Sequence, residues 1–156
     1  MSDMPPVAAS LAAATPRHGL PYLYPGQAQK EVFVNQAHAL IDALLHPAIE
    51  GEASAPPPDP VSGETWLIGH GSTAEWEGHA GQLGIYLGEQ WLFIIPRAGM
   101  LVLDKGSGQQ IRFTDRWERP AVPPVPNGGD TIDREARDTL AILVEAMKSA
   151  GIFPAN

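Results

Sequence analysis

The first strong pattern along the chain is an amphipathic stretch that ends at His46. Its apolar residues recur at about 3.6-residue intervals and form one stripe: Phe33, Ala37, Leu40, Ile41, Leu44 and Leu45. Pro47 ends this helix, because proline disfavours the helical conformation of the residue before it. A helix with one apolar side gains most of its stability from packing, so we expect the stripe to be covered.

Residues 61–117 show a different pattern, that of short strands. Apolar or aromatic runs alternate with glycine-rich turn signals, at 66–68, 83–87, 91–95, 100–103 and 111–113. This even spacing predicts an antiparallel β-meander of about five strands. So few strands bury little surface, and we expect the apolar stripe of the N-terminal helix to cover one face of the sheet. The predicted fold class is therefore α+β.

A second helix is predicted near the C-terminus, over residues 131–150. Apolar residues along it are spaced four and three apart in turn, at Ala136, Leu140, Leu143, Met147 and Ala150. This alternation is typical of a coiled-coil seam, so the five residues are predicted to mediate oligomerisation. The alternative is that the helix docks on its own β domain.

Two proline-rich stretches, residues 52–60 and 120–130, punctuate the chain. Proline fixes φ and lacks an N–H, so we expect both to be extended spacers outside any sheet. The predicted organisation is a flexible N-terminal arm (1–19), a domain of helix plus β-meander (20–117), a Pro/Gly linker (118–130) and a C-terminal helix (131–156). The arm has no basic start, so a secretion signal is not expected.

Charge and composition limit the partners. Ten basic and eighteen acidic side chains give a net charge of −8, which disfavours nucleic acid and anionic membrane surfaces. No apolar run approaches the roughly 18 residues of a membrane span, so membrane insertion is not expected. The chain has no cysteine, and we expect no cofactor. We also expect no metal site, because His38 and His46 on the first helix are about 12 Å apart.

Aromatic residues are the first candidates for ligand contact. Flat rings stack on the apolar faces of sugars, and several of them on a small β scaffold indicate a carbohydrate-binding module. Two glutamates flank Trp76, which predicts an exposed ring, and Trp76 with Tyr86 is the candidate carbohydrate site. The alternative is a role in the core, which we favour for Trp66 and Trp91 because each opens an apolar run.

The carboxylates and histidines do not form an enzyme signature. Glu64, Glu75 and Glu77 fall near His70 and His79 in glycine-rich turns, where solvated loop charge is a simpler interpretation than a glycosidase pair. We therefore expect no enzymatic activity, and a small polysaccharide hydrolase stands as an alternative.

Motifs along most of the chain resemble those of a known family. They are Pro21-Tyr22, Pro25-Gly26-Gln27-Ala28-Gln29-Lys30, Asn35, Leu40, Asp42-Ala43-Leu44, Pro56-Pro57, Gly63-Glu64-Thr65-Trp66, Trp76-Glu77-Gly78-His79, Trp91-Leu92-Phe93 and Pro96-Arg97-Ala98-Gly99. Over residues 19–117 the chain is similar to an uncharacterised domain (DUF2793-like) of phage and prophage particle proteins, common in alphaproteobacteria. The resemblance departs at Met100, where relatives usually carry tryptophan, and after Trp117.

The resemblance implies a context and no chemistry, because the family has no assigned active site. It implies a virion structural protein, such as the base of a gene transfer agent head spike or the anchor of a spike or fibre used for host attachment. The arm would then bind a capsid or other particle protein, the domain would form a homo-oligomer, and the C-terminal helix would bundle or hold a fibre protein. Assembly in the producing cell's cytoplasm would leave the protein on the particle surface, with a host polysaccharide as a further partner.

Overall fold

Helix α1 (Lys30–Leu45) forms where the sequence predicts it, but its apolar stripe points to solvent. The computed structural model describes residues 15, 20, 22–23, 30–129 and 133–155. Most of the predicted arm, residues 1–19, thus lies outside the described residues. Phe33 is 76% exposed and Leu45 is 51% exposed. The prediction that the stripe covers the sheet is therefore wrong.

The opposite face of α1 is buried, and hydrogen bonds explain why. Its residues recur at helical spacing and are Glu31, Asn35, Ala39, Asp42 and Ala43. The Asn35 side chain accepts from the Leu23 N–H at 2.7 Å and donates to the Leu23 carbonyl oxygen at 3.0 Å. The Thr15 hydroxyl donates to Asp42 at 2.7 Å. Buried polar groups need such partners, so Thr15 and Leu23 favour the burial of this face of α1.

The chain divides into two compact units, between Pro96 and Arg97. The first unit holds α1 and five strands, which are β1 (Ala48–Ile49), β2 (Glu52–Ala53), β3 (Thr65–Ile68), β4 (Leu83–Leu87) and β5 (Gln90–Ile94). Strands β2 to β5 are adjacent in that order, with β2 parallel to β3 and the other pairs antiparallel. The pairing of β2 corrects the expectation that residues 52–60 stay wholly outside a sheet.

The sheet of the first unit has two chemically different faces. Leu67, Leu83 and Ile85 lie on one face and are almost completely buried, which gives an aliphatic core. Side chains alternate between the faces of a strand, so the intervening residues share the other face. These residues are Trp66, Ile68, Gly84, Tyr86, Trp91 and Phe93. The sheet is therefore aliphatic on one side and mainly aromatic on the other.

The described residues of the second unit form three antiparallel strands and a helix. The strands are β6 (Leu101–Asp104), β7 (Gln109–Phe113) and β8 (Trp117–Glu118). The predicted α+β class is confirmed, with an N-terminal helix, mostly antiparallel strands and a C-terminal helix. The described residues contain eight strands where about five were expected. The additional strands β1, β2 and β8 have two residues each, too few to show a periodic pattern.

Helix α2 (Arg134–Ser149) is anchored beyond its C-terminal end. Asp133 caps its start by accepting from the Ala136 N–H, so the helix begins later than residue 131. After it, the Gly151 carbonyl accepts from the Gln110 N–H at 2.6 Å, and the Ala155 N–H donates to the Ser107 carbonyl at 2.9 Å. No residue of α2 is buried, so the described part of the chain leaves its predicted seam uncovered.

No helix within the described ranges is both long and apolar enough to cross a lipid bilayer.

Candidate functional site

A chain of contacting aromatic rings crosses the aromatic face of the first sheet. The centroid of the Trp76 ring lies 6.5 Å from that of Trp66 and 4.9 Å from that of Trp91, which it meets edge to face. Tyr86 lies 5.2 Å from Trp91. Aromatic rings at these distances and tilts attract one another, and this attraction stabilises the fold in addition to the burial of their apolar surface. The cluster therefore fixes the positions of the rings at its surface.

Trp76 is the buried centre of this cluster. Its side chain is 0% exposed, so the predicted exposure of the ring is wrong, and a sugar cannot stack on it. A short 3₁₀ helix (Ala74–Trp76) turns the indole inward over Gly84. A Cβ atom at position 84 would make ordinary contacts with the Trp91 ring at 3.4 Å and the Trp76 indole nitrogen at 3.6 Å, and a closer one with the Ile68 side chain at 3.3 Å. Gly84 therefore lies directly against the two rings.

A cleft of about 730 Å³ opens beside the cluster, and all of its described lining residues lie between 55 and 93. One wall is the proline run, with Pro56, Pro57, Pro58 and Pro60. The other wall is formed by Tyr86, Trp91 and Phe93. Glu75, Glu89 and Gln90 complete the lining together with two alanines. This volume lies within the range of small-molecule sites, about 300–1,000 Å³.

Strand pairing positions the aromatic wall. Tyr86 and Trp91 are directly opposite each other on β4 and β5, and Phe93 follows on the same face. The Phe93 ring stacks on the His79 ring at a centroid distance of 3.6 Å and an interplanar angle of 9°. The His79 ring nitrogen Nδ1 is in turn 3.2 Å from the Gln82 side-chain oxygen. Strand pairing and the stack on His79 thus hold the aromatic wall in place.

The backbone is strained at two points of the cleft. Among the described residues other than glycine, only Ala74 and Glu89 have positive φ, at 53° and 66°. Both line the cleft. Residues with a Cβ atom rarely adopt this conformation, and such strain is concentrated at ligand sites. Glu89 has it because Gly88 and Glu89 form the two-residue turn between β4 and β5.

The charge of the cleft is negative. Glu75 and Glu89 contribute two carboxylates, and no lysine, arginine or histidine is among the described residues that line it. The chain as a whole carries a net charge of −8. An anionic ligand would therefore meet repulsion without a compensating cation.

The predicted site residues fall in different places. Tyr86 lines the cleft, as the carbohydrate prediction requires, and Trp91 and Phe93 join it there. The latter two were missed as ligand contacts, although alternation along a hairpin that pairs Tyr86 with Trp91 places all three on one face. Of the seam residues, Leu140 and Leu143 are about half exposed.

The carboxylates considered for hydrolysis do not converge. Glu64 accepts a hydrogen bond from the Trp66 indole at 3.3 Å, Glu75 lines the cleft, and Glu77 is exposed outside it. Within the described residues, no group of three or more histidine, aspartate or glutamate side chains is placed to hold a metal ion. Asp42, which lies between His38 and His46 on α1, is buried and accepts a hydrogen bond from Thr15.

A family described as a protein of unknown function (DUF2793) matches residues 34–118. The chain belongs to this DUF2793 family. Of the structure described for this DUF2793 protein, the matched range holds most of α1, the eight strands and every lining residue of the cleft. It leaves out the proline-rich segment after residue 118 and α2. Comparison with curated proteins found no match, and comparison with solved structures found none either.

Proposed function

We propose that this DUF2793 protein is an oligomer-forming structural subunit of a phage-like particle, such as a gene transfer agent head-spike base or the anchor of a spike or fibre that supports host attachment. The observation that carries the proposal is the exposure of apolar side chains on both helices. Phe33 on α1 is 76% exposed, and Leu45 on the same helix is 51% exposed. Leu140 and Leu143, on the predicted seam, are 47% and 49% exposed.

Exposed apolar faces of this kind favour association. A soluble monomer rarely presents a continuous apolar surface, and burial of one Leu, Ile or Phe side chain contributes about 1.5–3 kcal/mol. On α2 the seam residues lie on one side of a helix whose other side carries Asp138 and Glu145. Two copies that pack seam to seam would bury the apolar side and leave the charged side in water.

The particle context rests on the resemblance of the motifs between Pro21 and Gly99 to phage and prophage particle domains. In that context the protein lies on the particle surface after assembly in the cytoplasm of the producing cell. Its N-terminal arm contacts a capsid or other particle protein, and α2 forms a bundle or holds a fibre protein. These functions require stable contacts between proteins and no catalysis.

Analytical ultracentrifugation of the full chain tests the oligomer. We expect a defined oligomer at micromolar concentration, which the double variant Leu140→Gln/Leu143→Gln weakens at least tenfold. The matched control, Ala141→Gln/Ser149→Gln, introduces the same side chain off the seam and leaves the association unchanged. A monomeric wild type, or equal association of the two double variants, would contradict the proposed oligomer.

Mass spectrometry of purified particles from a producing strain tests the context separately. The chain is expected among the particle proteins and lost from them on deletion of its gene. Its absence from intact particles would overturn the particle assignment even if the oligomer forms.

A further inference from the structure

We propose that the cleft of the first unit binds a neutral saccharide, which stacks on Tyr86 and Trp91. This inference goes beyond the structural role and does not rest on it. The two rings are half-buried, meet at 5.2 Å and border the cleft from adjacent strands. Sugar rings present apolar C–H faces, and a rigid aromatic surface accommodates such a face without ordering costs of its own.

The polar groups at the cleft match hydroxyl groups. The carboxylates of Glu75 and Glu89 accept hydrogen bonds, and the Gln90 amide both accepts and donates. Sugar hydroxyls donate and accept, so they can satisfy all three groups. Hydrogen bonds to a carboxylate are stronger than those between neutral groups, so the two glutamates orient the ligand.

A proline-rich peptide fits the same aromatic surface less well. Such peptides dock in aromatic grooves, but proline offers only its carbonyl oxygen for hydrogen bonding. The polar side chains of this cleft are mainly acceptors, and the peptide has few donors to give them. The surplus of acceptors therefore favours a hydroxyl-rich ligand over a polyproline segment.

The absence of cations among the described lining residues selects against acidic sugars. A uronate, sialate or phosphorylated sugar would place its negative charge beside Glu75 and Glu89. Like charges at contact distance disfavour binding, whereas neutral sugars pay no such penalty. The ligand class is therefore a neutral saccharide.

The strain at Glu89 supports a ligand-binding role for its carboxylate. A two-residue turn with two positive φ values favours glycine or asparagine, yet position 89 carries glutamate at φ 66°. A strained residue that persists at a cleft indicates a functional requirement for its side chain. Glycine at this position would relieve the strain and remove the carboxylate.

Binding of a panel of neutral and acidic oligosaccharides, followed by calorimetry of the best binder, tests the proposal. We expect neutral saccharides to bind and acidic ones not to bind. Tyr86→Ala abolishes the binding, and Glu89→Gly weakens it about tenfold while its unfolding midpoint stays equal or rises. The matched control is Glu77→Gly, which removes a glutamate outside the cleft at φ −56° and leaves the binding unchanged.

Three results would overturn the proposal. These are no binding by any neutral saccharide, binding only of acidic sugars or of a proline-rich peptide, and unchanged affinity in both Tyr86→Ala and Glu89→Gly. The same titration on the Leu140→Gln/Leu143→Gln variant separates this proposal from the structural one. Saccharide binding should survive there, because the cleft lies wholly within the first unit.

Discussion

At the scale of single residues, Trp76 has the most consequential packing. Its ring is fully buried, and its indole N–H has no hydrogen-bond partner among the described residues. Replacement by alanine should cost about 3–5 kcal/mol in the free energy of unfolding, because it leaves a cavity beside the Trp66 and Trp91 rings. Replacement by phenylalanine should cost less, since it also removes an unsatisfied N–H. Urea denaturation measures both.

Tyr86→Ala is the reference for that comparison. Tyr86 touches the same cluster from its half-buried edge, so its truncation removes less buried surface. If Trp76→Ala were no more destabilising than Tyr86→Ala, the assignment of Trp76 to the buried centre would be incorrect.

The sequence could not show which way the Trp76 side chain points, and the reason is physical. Its two glutamate neighbours indicated a polar loop, and an exposed ring was inferred from them. In a turn of 3₁₀ helix, however, successive side chains point about 120° apart, so polar neighbours do not determine where the middle residue points. Its ring is buried against Trp66 and Trp91, which lie on two different strands and become its neighbours only in the folded sheet.

Tyr22 should make the fold sensitive to alkali. Burial, aided by the nearby Asp42 carboxylate, raises the pKa of its phenol above the ordinary 10.0. The folded state thus favours the neutral phenol, and its stabilising contribution is present below pH 10.0 and lost as the pH rises toward the raised pKa. Denaturation midpoints at about pH 8 and about pH 11 should show a larger loss for the wild type than for Tyr22→Phe. Equal losses would show that Tyr22 does not titrate on unfolding.

At the scale of elements, α1 shows what periodicity predicts and what it leaves open. The apolar spacing gave the correct helix and the wrong inward face. Asn35 and Asp42 lie on the buried side because Leu23 and Thr15 supply their hydrogen bonds. Those partners belong to a segment without a periodic pattern, so only the folded chain reveals that a polar face is the buried one.

The junction after α2 gives a test of how this helix is anchored. Gly151 has φ +70°, and a Cβ atom there would lie 3.3 Å from the Gly108 carbonyl oxygen. Gly151→Ala should lower the free energy of unfolding by about 1–2 kcal/mol from the backbone conformation, and further through the clash. Thermal or urea unfolding followed by circular dichroism measures the loss.

Gly108→Ala is the matched control for this junction. Gly108 has nearly the same φ, +68°, but its added Cβ would make only an ordinary contact of 3.6 Å with Ala155. The two variants share the conformational cost, so the difference between them reports the clash. An equal loss in both would show that the close approach of Gly151 to the hairpin is not required.

At the scale of the whole molecule, charge and apolar surface act in opposite directions. Each copy carries a net charge of −8, so copies repel one another while their exposed apolar faces attract. Salt screens the repulsion and strengthens apolar burial, so self-association should tighten between about 0.02 and about 0.5 M NaCl. Sedimentation at each salt concentration measures the dissociation constant. Weaker association at high salt would indicate an interface held by ion pairs.

The sequence predicted the large-scale organisation better than the site. The α+β class, both helices and five of the strands follow from local patterns. The cleft does not, because it joins a proline run to an aromatic face that lies about thirty residues further along the chain. Of the two predicted carbohydrate contacts, only Tyr86 lines the cleft.

The anchoring of α2 by Gly151 and Ala155 bears on how quickly a partner can engage it. An isolated helix of this length is marginal in water, and a partner that had to fold it would lose affinity to the ordering entropy. The hydrogen bonds that fasten the C-terminal end of α2 to the β6–β7 hairpin order this end during folding, before any partner binds. A binding partner therefore meets a helix that has already formed. The association rate then depends on the orientation of the two molecules when they collide, and not on the rate of helix formation.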